Sequence, residues 1–175
     1  NLERAASLIS SFKKVAVDQS NEDERTVIVN ELVKGVLLTL APKLNSLPYK
    51  IHIDCPQALS VVTKAGPISQ ILINLIMNSV IHGFDGADEG DIEINIIQMS
   101  SQLNITYRDN GKGIKESIKN KIFDPFTTTK RGEGGSGLGL HLVYNLVTQA
   151  LGGSIQLENN TAKTGVHFEI SFPVK

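Results

Sequence analysis

Hydrophobic positions along this chain follow two rhythms, one of three and four residues and one of two, and the switches between them outline its elements. Leu2, Ala5, Ile9, Phe12 and Ala16 recur at spacings of three and four. That is the seam of a helix in a coiled coil or helical bundle, with an ordinary amphipathic helix packed on the domain as the simpler alternative. A polar stretch from Asp18 to Glu24 reads as a connector. The pattern then predicts a short strand over Thr26 to Val29, a helix over Glu31 to Leu40 that Pro42 ends, and strands over Tyr49 to Asp54 and Leu59 to Thr63. A second helix is expected over Pro67 to Ile81, its proline in the first turn where a missing N–H costs nothing. Ile92, Ile94 and Ile96 alternate with polar residues, as do Leu103, Ile105 and Tyr107, so two paired strands meet at a turn of Ser100 and Ser101. A helix over Leu138 to Leu151 stops at Gly152 and Gly153, and strands over Ser154 to Glu158 and Val166 to Phe172 close the chain. This mixture predicts an α+β fold: a two-layer sandwich whose mixed, mostly antiparallel sheet is covered by helices on one face.

Composition narrows the class. A chain of 175 residues, 41% hydrophobic and 20% charged, suits one globular domain with an appended element. Seventeen basic against eighteen acidic residues, with no cluster of one sign, argue against an electrostatic grip on nucleic acid. No apolar run is long enough for a bilayer, so no direct membrane contact is expected. Cys55 is the single cysteine, which excludes an intrachain disulfide and fits a reducing, cytoplasmic setting. The chain opens at Asn1 without a signal-peptide pattern and is expected to be a piece of a longer protein.

Three stretches carry candidate chemistry. The helix around Ile68 to His82 is apolar nearly all round, yet Gln70, Asn74, Asn78 and His82 recur every four residues as one polar stripe. Such amides either bond to neighbouring backbone or line a ligand cavity, where Asn78 offers an oxygen to Mg²⁺. Downstream, Asp109, Gly111 and Gly113 follow a strand; the glycines permit a tight turn and the carboxylate can accept from a ligand amine, although Asp-Asn-Gly is also common loop chemistry. Finally Gly132, Gly134, Gly135, Gly137 and Gly139 lead straight into a helix, exposing N–H groups that suit phosphate. The literal Gly-x-Gly-x-x-Gly at Gly132 is not a dinucleotide fingerprint, because a loop rather than a strand precedes it. Nor is it a P-loop, since Leu138 and Gly139 stand where Lys and Ser or Thr are required.

In this order the motifs resemble the GHKL superfamily with its Bergerat ATP-binding fold, and most closely the catalytic domain of sensor histidine kinases. Asn74 to Asn78 resembles the N box, Asp109 to Gly113 the G1 box, Phe123 to Phe126 the F box and Gly135 to Leu140 the G2 box. The resemblance implies ATP and Mg²⁺ as cofactors. Asp109 is then expected to bind the adenine amine, Asn78 to hold the metal, and Asn74 to support the phosphate end. Gly137 and Gly139 are expected to meet phosphate oxygens, with Phe123 to Ser136 as an ATP lid and Lys130 as a phosphate partner. Asn74 and Lys130 are the catalytic candidates. His82, Gly111, Gly113, Ile114, Phe123, Phe126, Gly135, Ser136, Leu138 and Leu140 complete the nucleotide-binding set. Val166 follows Gly165 where many relatives carry a hydroxyl residue near adenine, a departure from the pattern.

By the same resemblance, residues 1–20 are similar to the second helix of a dimerisation and phosphoacceptor bundle, and residues 21–175 form the catalytic domain. The acceptor histidine in such bundles is usually followed by an acidic residue, whereas His52, His82, His141 and His167 precede Ile53, Gly83, Leu142 and Phe168. The acceptor is therefore expected on a helix outside this chain, in a homodimeric full protein for which both a membrane-anchored and an unanchored form are open. Hydrolases of the superfamily resemble one another in carrying Glu where Asn74 stands; an amide cannot activate water, so transfer is expected over hydrolysis. The expected function is transfer of the ATP γ-phosphoryl group to that histidine, for relay to a response-regulator receiver domain. A serine-directed kinase of the same superfamily and a non-catalytic nucleotide-sensing module are the alternatives.

Overall fold

The computed structural model describes residues 23–127, 139–159 and 164–175. Its elements in chain order are β1 (Arg25–Ile28), α1 (Val29–Leu44), β2 (Tyr49–Asp54), β3 (Ser60–Thr63), α2 (Ala65–Asn78), β4 (Gly90–Met99), β5 (Gln102–Asp109), α3 (Gly139–Asn145), β6 (Ser154–Leu157) and β7 (His167–Pro173). A wide, π-type turn continues α2 over Ser79–Gly83 and another continues α3 over Leu146–Ala150, while a 3₁₀ turn spans Glu116–Lys121. The bundle helix predicted over residues 1–20 lies outside the described residues.

Five strands form the main sheet in the order β2-β4-β5-β7-β6, with β2 parallel to β4 and every other pair antiparallel. β1 and β3 form a separate antiparallel pair, and reciprocal bonds between Val62 and Lys175 tie the chain's last residue to it. Period-two alternation sets the inner face: Ile92, Ile94 and Ile96 of β4, Leu103, Ile105 and Tyr107 of β5, and Phe168, Ile170 and Phe172 of β7 are all buried. Against them lie Val29, Val33, Val36 and Leu40 of α1, Ile68, Ile71, Leu72, Leu75 and Ile76 of α2, and Val143 of α3 in one continuous core. Each fully buried side chain of this size contributes about 1.5–3 kcal/mol of burial free energy, so the two layers hold one another.

The sequence reading placed most elements within two residues, and its departures have local causes. Pro42 does not end the first helix, which runs on to Leu44. The carbonyl that the absent Pro42 N–H would have met belongs to Leu38, which is 77% exposed, so water can serve it; Asn45 N–H then donates to Ala41 O at 2.9 Å. The second helix keeps α geometry only to Asn78 before it widens, and the third likewise only to Asn145.

Candidate functional site

The alternation that buries Leu103, Ile105 and Tyr107 continues for one more step and places Asp109, the last residue of β5, on the same core-facing side at 6% exposure. A carboxylate there needs donors. Ser79 Oγ donates to Oδ2 at 2.6 Å, while the N–H groups of Gly111 and Val166 donate to Oδ1 at 3.0 and 3.1 Å. Ser79 Oγ also lies 2.6 Å from the Tyr107 hydroxyl, which donates to Leu75 O at 2.9 Å. Burial pushes the Tyr107 phenol well above its ordinary range; the Ser79 bond lowers it in part, and the negative Asp109 adds to the rise. Tyr107 therefore remains a donor at any working pH.

Two backbone approaches make this arrangement possible. Gly111 passes so near the end of the wide turn that an added Cβ would sit 2.4 Å from Gly83 O, and Lys112 N–H donates to that carbonyl at 2.9 Å. Gly165, at φ +102°, runs beside Asp109, where a Cβ would lie 1.9 Å from the Asp109 carbonyl oxygen. The turn after β5, the end of the second helix and the start of β7 thus enclose Asp109 from three directions. The Val166 departure leaves its backbone with a role: N–H to the Asp109 carboxylate, and C=O accepting from Asp109 N–H at 3.1 Å.

The polar stripe on α2 divides along its length. Gln70 Nε2 donates to Asn74 Oδ1 at 3.1 Å, and both residues are buried. Asn74 Nδ2 is buried and has no hydrogen-bond partner among the described residues. An orphan amide costs about 1–3 kcal/mol unless something outside the chain satisfies it. One turn further, Asn78 is half-buried, and its Oδ1 lies 3.0 Å from where a Cβ on Gly139 would be, so it faces the first turn of α3. His82 sits half-buried within the wide turn.

The predicted site residues therefore converge in part. Asn74, Asn78, Asp109, Gly111 and Gly139 gather around the end of α2, because Ser79, next in sequence to Asn78, touches Asp109 itself. Gly113 joins from behind, with Gly165 O 3.1 Å from its would-be Cβ. Ile114, Phe123 and Leu140 pack against the core edge, Phe123 between the rings of Tyr144 and Phe168 at 5.4 and 6.2 Å. Phe126 is 56% exposed and adopts φ +65°, a left-handed turn conformation rare for an aromatic residue. Lys130, Gly135, Ser136, Gly137 and Leu138 lie outside the described residues. Sequence reasoning passed over Ser79, Tyr107 and Gly165. The signal for Ser79 was available, as a hydroxyl directly after Asn78 of the stripe in a mostly apolar helix.

The chain has counterparts among known proteins in both sequence and fold. The chain matches the family described as histidine kinase-, DNA gyrase B- and HSP90-like ATPase over residues 63–175. The chain belongs to that family. Sporulation kinase A of Bacillus subtilis (strain 168) is 31% identical over 99% of this chain and 28% of its own length. The C4-dicarboxylate transport sensor protein DctB of Rhizobium meliloti (strain 1021) is 29% identical over 78% of this chain and 21% of its own length. The chain thus spans less than a third of these curated relatives. Among solved structures, the catalytic domain of histidine kinase ThkA superimposes with a TM-score of 0.71 at 30% identity, covering 86% of this chain and 95% of that one. The kinase ThkA in complex with the response regulator protein TrrA gives 0.73 at 25% identity, covering 99% of this chain and 49% of that one. The α+β sandwich of this ATPase-family chain is therefore the fold of histidine kinase catalytic domains. Among its described residues, no helix is long and apolar enough to cross a membrane.

Proposed function

We propose that residues 21–175 are the ATP-binding catalytic domain of a two-component sensor histidine kinase. The γ-phosphoryl group of ATP passes to a histidine outside this chain and then to a response-regulator aspartate. The observation that carries this reading is the convergence on one helix end of Asp109, a buried carboxylate held in place by three protein donors, and Asn74, whose buried Nδ2 has no partner among the described residues.

Each residue then has a task. Asp109 accepts from the exocyclic amine of adenine, which fixes the base and the direction of the phosphate tail. Asn74 donates toward the phosphate end. As an amide, it positions and cannot deprotonate a water, so hydrolysis lacks a base at this position. Asn78 offers a neutral amide oxygen, and no group of three or more His, Cys, Asp or Glu that could hold a metal exists among the described residues. Such a sparse donor set fits Mg²⁺, which keeps its waters and phosphate oxygens and is carried in with the nucleotide. When bound, that ion supplies neutralisation of phosphate charge. Gly137, Gly139 and Lys130 complete the phosphate end, and Phe123 to Ser136 form the lid. Phosphoryl transfer asks for alignment and charge neutralisation rather than covalent catalysis, so an imidazole delivered from another helix serves as nucleophile. In the whole protein, residues 1–20 belong to the dimerising bundle.

Calorimetry tests this directly. The chain is expected to bind Mg-ATP, Asn78→Ala to abolish the magnesium dependence of binding, and the chain by itself to acquire no label from γ-labelled ATP. The full-length protein is expected to gain an acid-labile phosphate. Failure of the chain to bind adenine nucleotide, or stoichiometric autophosphorylation of the chain alone, would overturn the proposal.

A further inference from the structure

The Ser79 hydroxyl is directed. Ser79 is 2% exposed and carries a single hydrogen, with two oxygens at 2.6 Å: Asp109 Oδ2 and the Tyr107 hydroxyl. Were that hydrogen given to Tyr107, a Ser79 lone pair would face a buried carboxylate oxygen at 2.6 Å, two acceptors in contact. The stable arrangement runs the other way. Tyr107 directs its hydrogen at Ser79 Oγ, sharing it with Leu75 O, and Ser79 gives its own to Asp109. Because its phenol is raised by burial, Tyr107 does not lose that hydrogen. Asp109 Oδ1 is meanwhile filled by the N–H groups of Gly111 and Val166.

We infer that Ser79, backed by Tyr107, is a positioning residue for nucleobase specificity: it holds Asp109 as an acceptor toward the ligand and so selects a 6-amino purine over a 6-oxo purine. This rests on the reading that Asp109 meets the base. An amine can donate to Oδ2 beside the Ser79 bond, whereas an oxo group there brings two acceptors together. Without the Ser79 donor, Oδ2 can turn or admit a water whose hydrogens serve an oxo group.

The test uses the full chain, with Mg-ATP and Mg-ITP titrated calorimetrically against the parent, Ser79→Ala and Tyr107→Phe. The parent is expected to prefer ATP. Ser79→Ala should reduce the ratio of the two affinities by about tenfold, the value of one hydrogen bond to a charged group, and Tyr107→Phe by a smaller factor in the same direction. A ratio unchanged within about twofold overturns the inference, as do equal losses for both nucleotides, which mark a structural role. If Ser79→Ala does not fold, the ratio in Tyr107→Phe decides by the same criterion. A parent that binds neither nucleotide refutes the functional reading instead, so the two failures are told apart.

Discussion

Replacing Asp109 by Asn tests the polarity of the whole buried chain of hydrogen bonds. If the amide oxygen takes the place of Oδ1, it keeps the donations from Gly111 and Val166 N–H. The amide nitrogen then takes the place of Oδ2, 2.6 Å from Ser79 Oγ, and must donate to it. Ser79 can accept by turning its hydrogen to Tyr107, which still has Leu75 O to donate to at 2.9 Å. Every donor already in the chain of bonds retains an acceptor and the second amide hydrogen is left toward the ligand side, so the fold survives with the relay reversed. The stability cost is the difference between charge-assisted and neutral bonds, about 1–2 kcal/mol. The ligand, however, now meets an N–H where it met a lone pair. Loss of a bond to a charged acceptor, about 1.5–3 kcal/mol, predicts a fall in ATP affinity of about 10- to 150-fold. An oxo purine should lose nothing and can gain. Urea unfolding measures the first quantity and paired titrations with Mg-ATP and Mg-ITP the second. A variant that folds normally and keeps the parental preference for ATP would refute the assignment of Asp109 to the base.

Three other perturbations probe separate parts of the site. Gly165→Ala places a Cβ 1.9 Å from the Asp109 carbonyl at φ +102°, so denaturant unfolding should show a loss of about 2–4 kcal/mol, with weakened ATP binding as the Val166 contacts shift. Asn74→Leu removes an orphan donor but also the acceptor of Gln70; these offset, so stability should move by less than about 1 kcal/mol while ATP affinity drops at least about tenfold. Unchanged ATP affinity in that variant would make the amide structural. Tyr107 is raised in the folded state, so its contribution is complete below the ordinary phenol range and is lost as pH rises through the folded value. Unfolding free energy of the parent should therefore decline above about pH 10, and less steeply in Tyr107→Phe; parallel profiles would contradict it.

Much of this was legible because the sheet and helices obey simple periods. Ile92, Ile94 and Ile96 with Leu103, Ile105 and Tyr107 announced both the strand pair and its buried face, and the turn at Ser100 falls between them with φ +57°. The stripe of Gln70, Asn74 and Asn78 marked the candidate face of α2 because few other positions on that helix are polar. Pairing of distant strands was less accessible. The parallel register of β2 with β4 and the separate β1–β3 pair depend on contacts that local periodicity does not encode. Tyr107 was read as one more apolar strand residue, since alternation reports which face a side chain takes and not what its hydroxyl meets. The same alternation, carried two residues past Tyr107, would have put Asp109 on the core face and raised the question of its donors.

The wide turn at Ser79–Gly83 explains why those donors are in place. Its first carbonyl, Ser79 O, accepts from Phe84 N–H at 2.8 Å across five residues, a looser winding than an α-helix allows. The expanded turn sets Ser79 under the carboxylate while its end presents Gly83 O to Lys112 N–H. The helix and the glycine turn after β5 are therefore bonded at both ends of the same five residues, and Asn78 immediately before them is fixed relative to Asp109. Straightening the turn into regular helix would rotate Ser79 and Gly83 away from these partners together. Asp109, proposed to accept from a base, and the amides of Asn74 and Asn78, proposed for the phosphate tail, thus derive their spacing from one local irregularity, and π-type turns of this kind are frequent at functional sites.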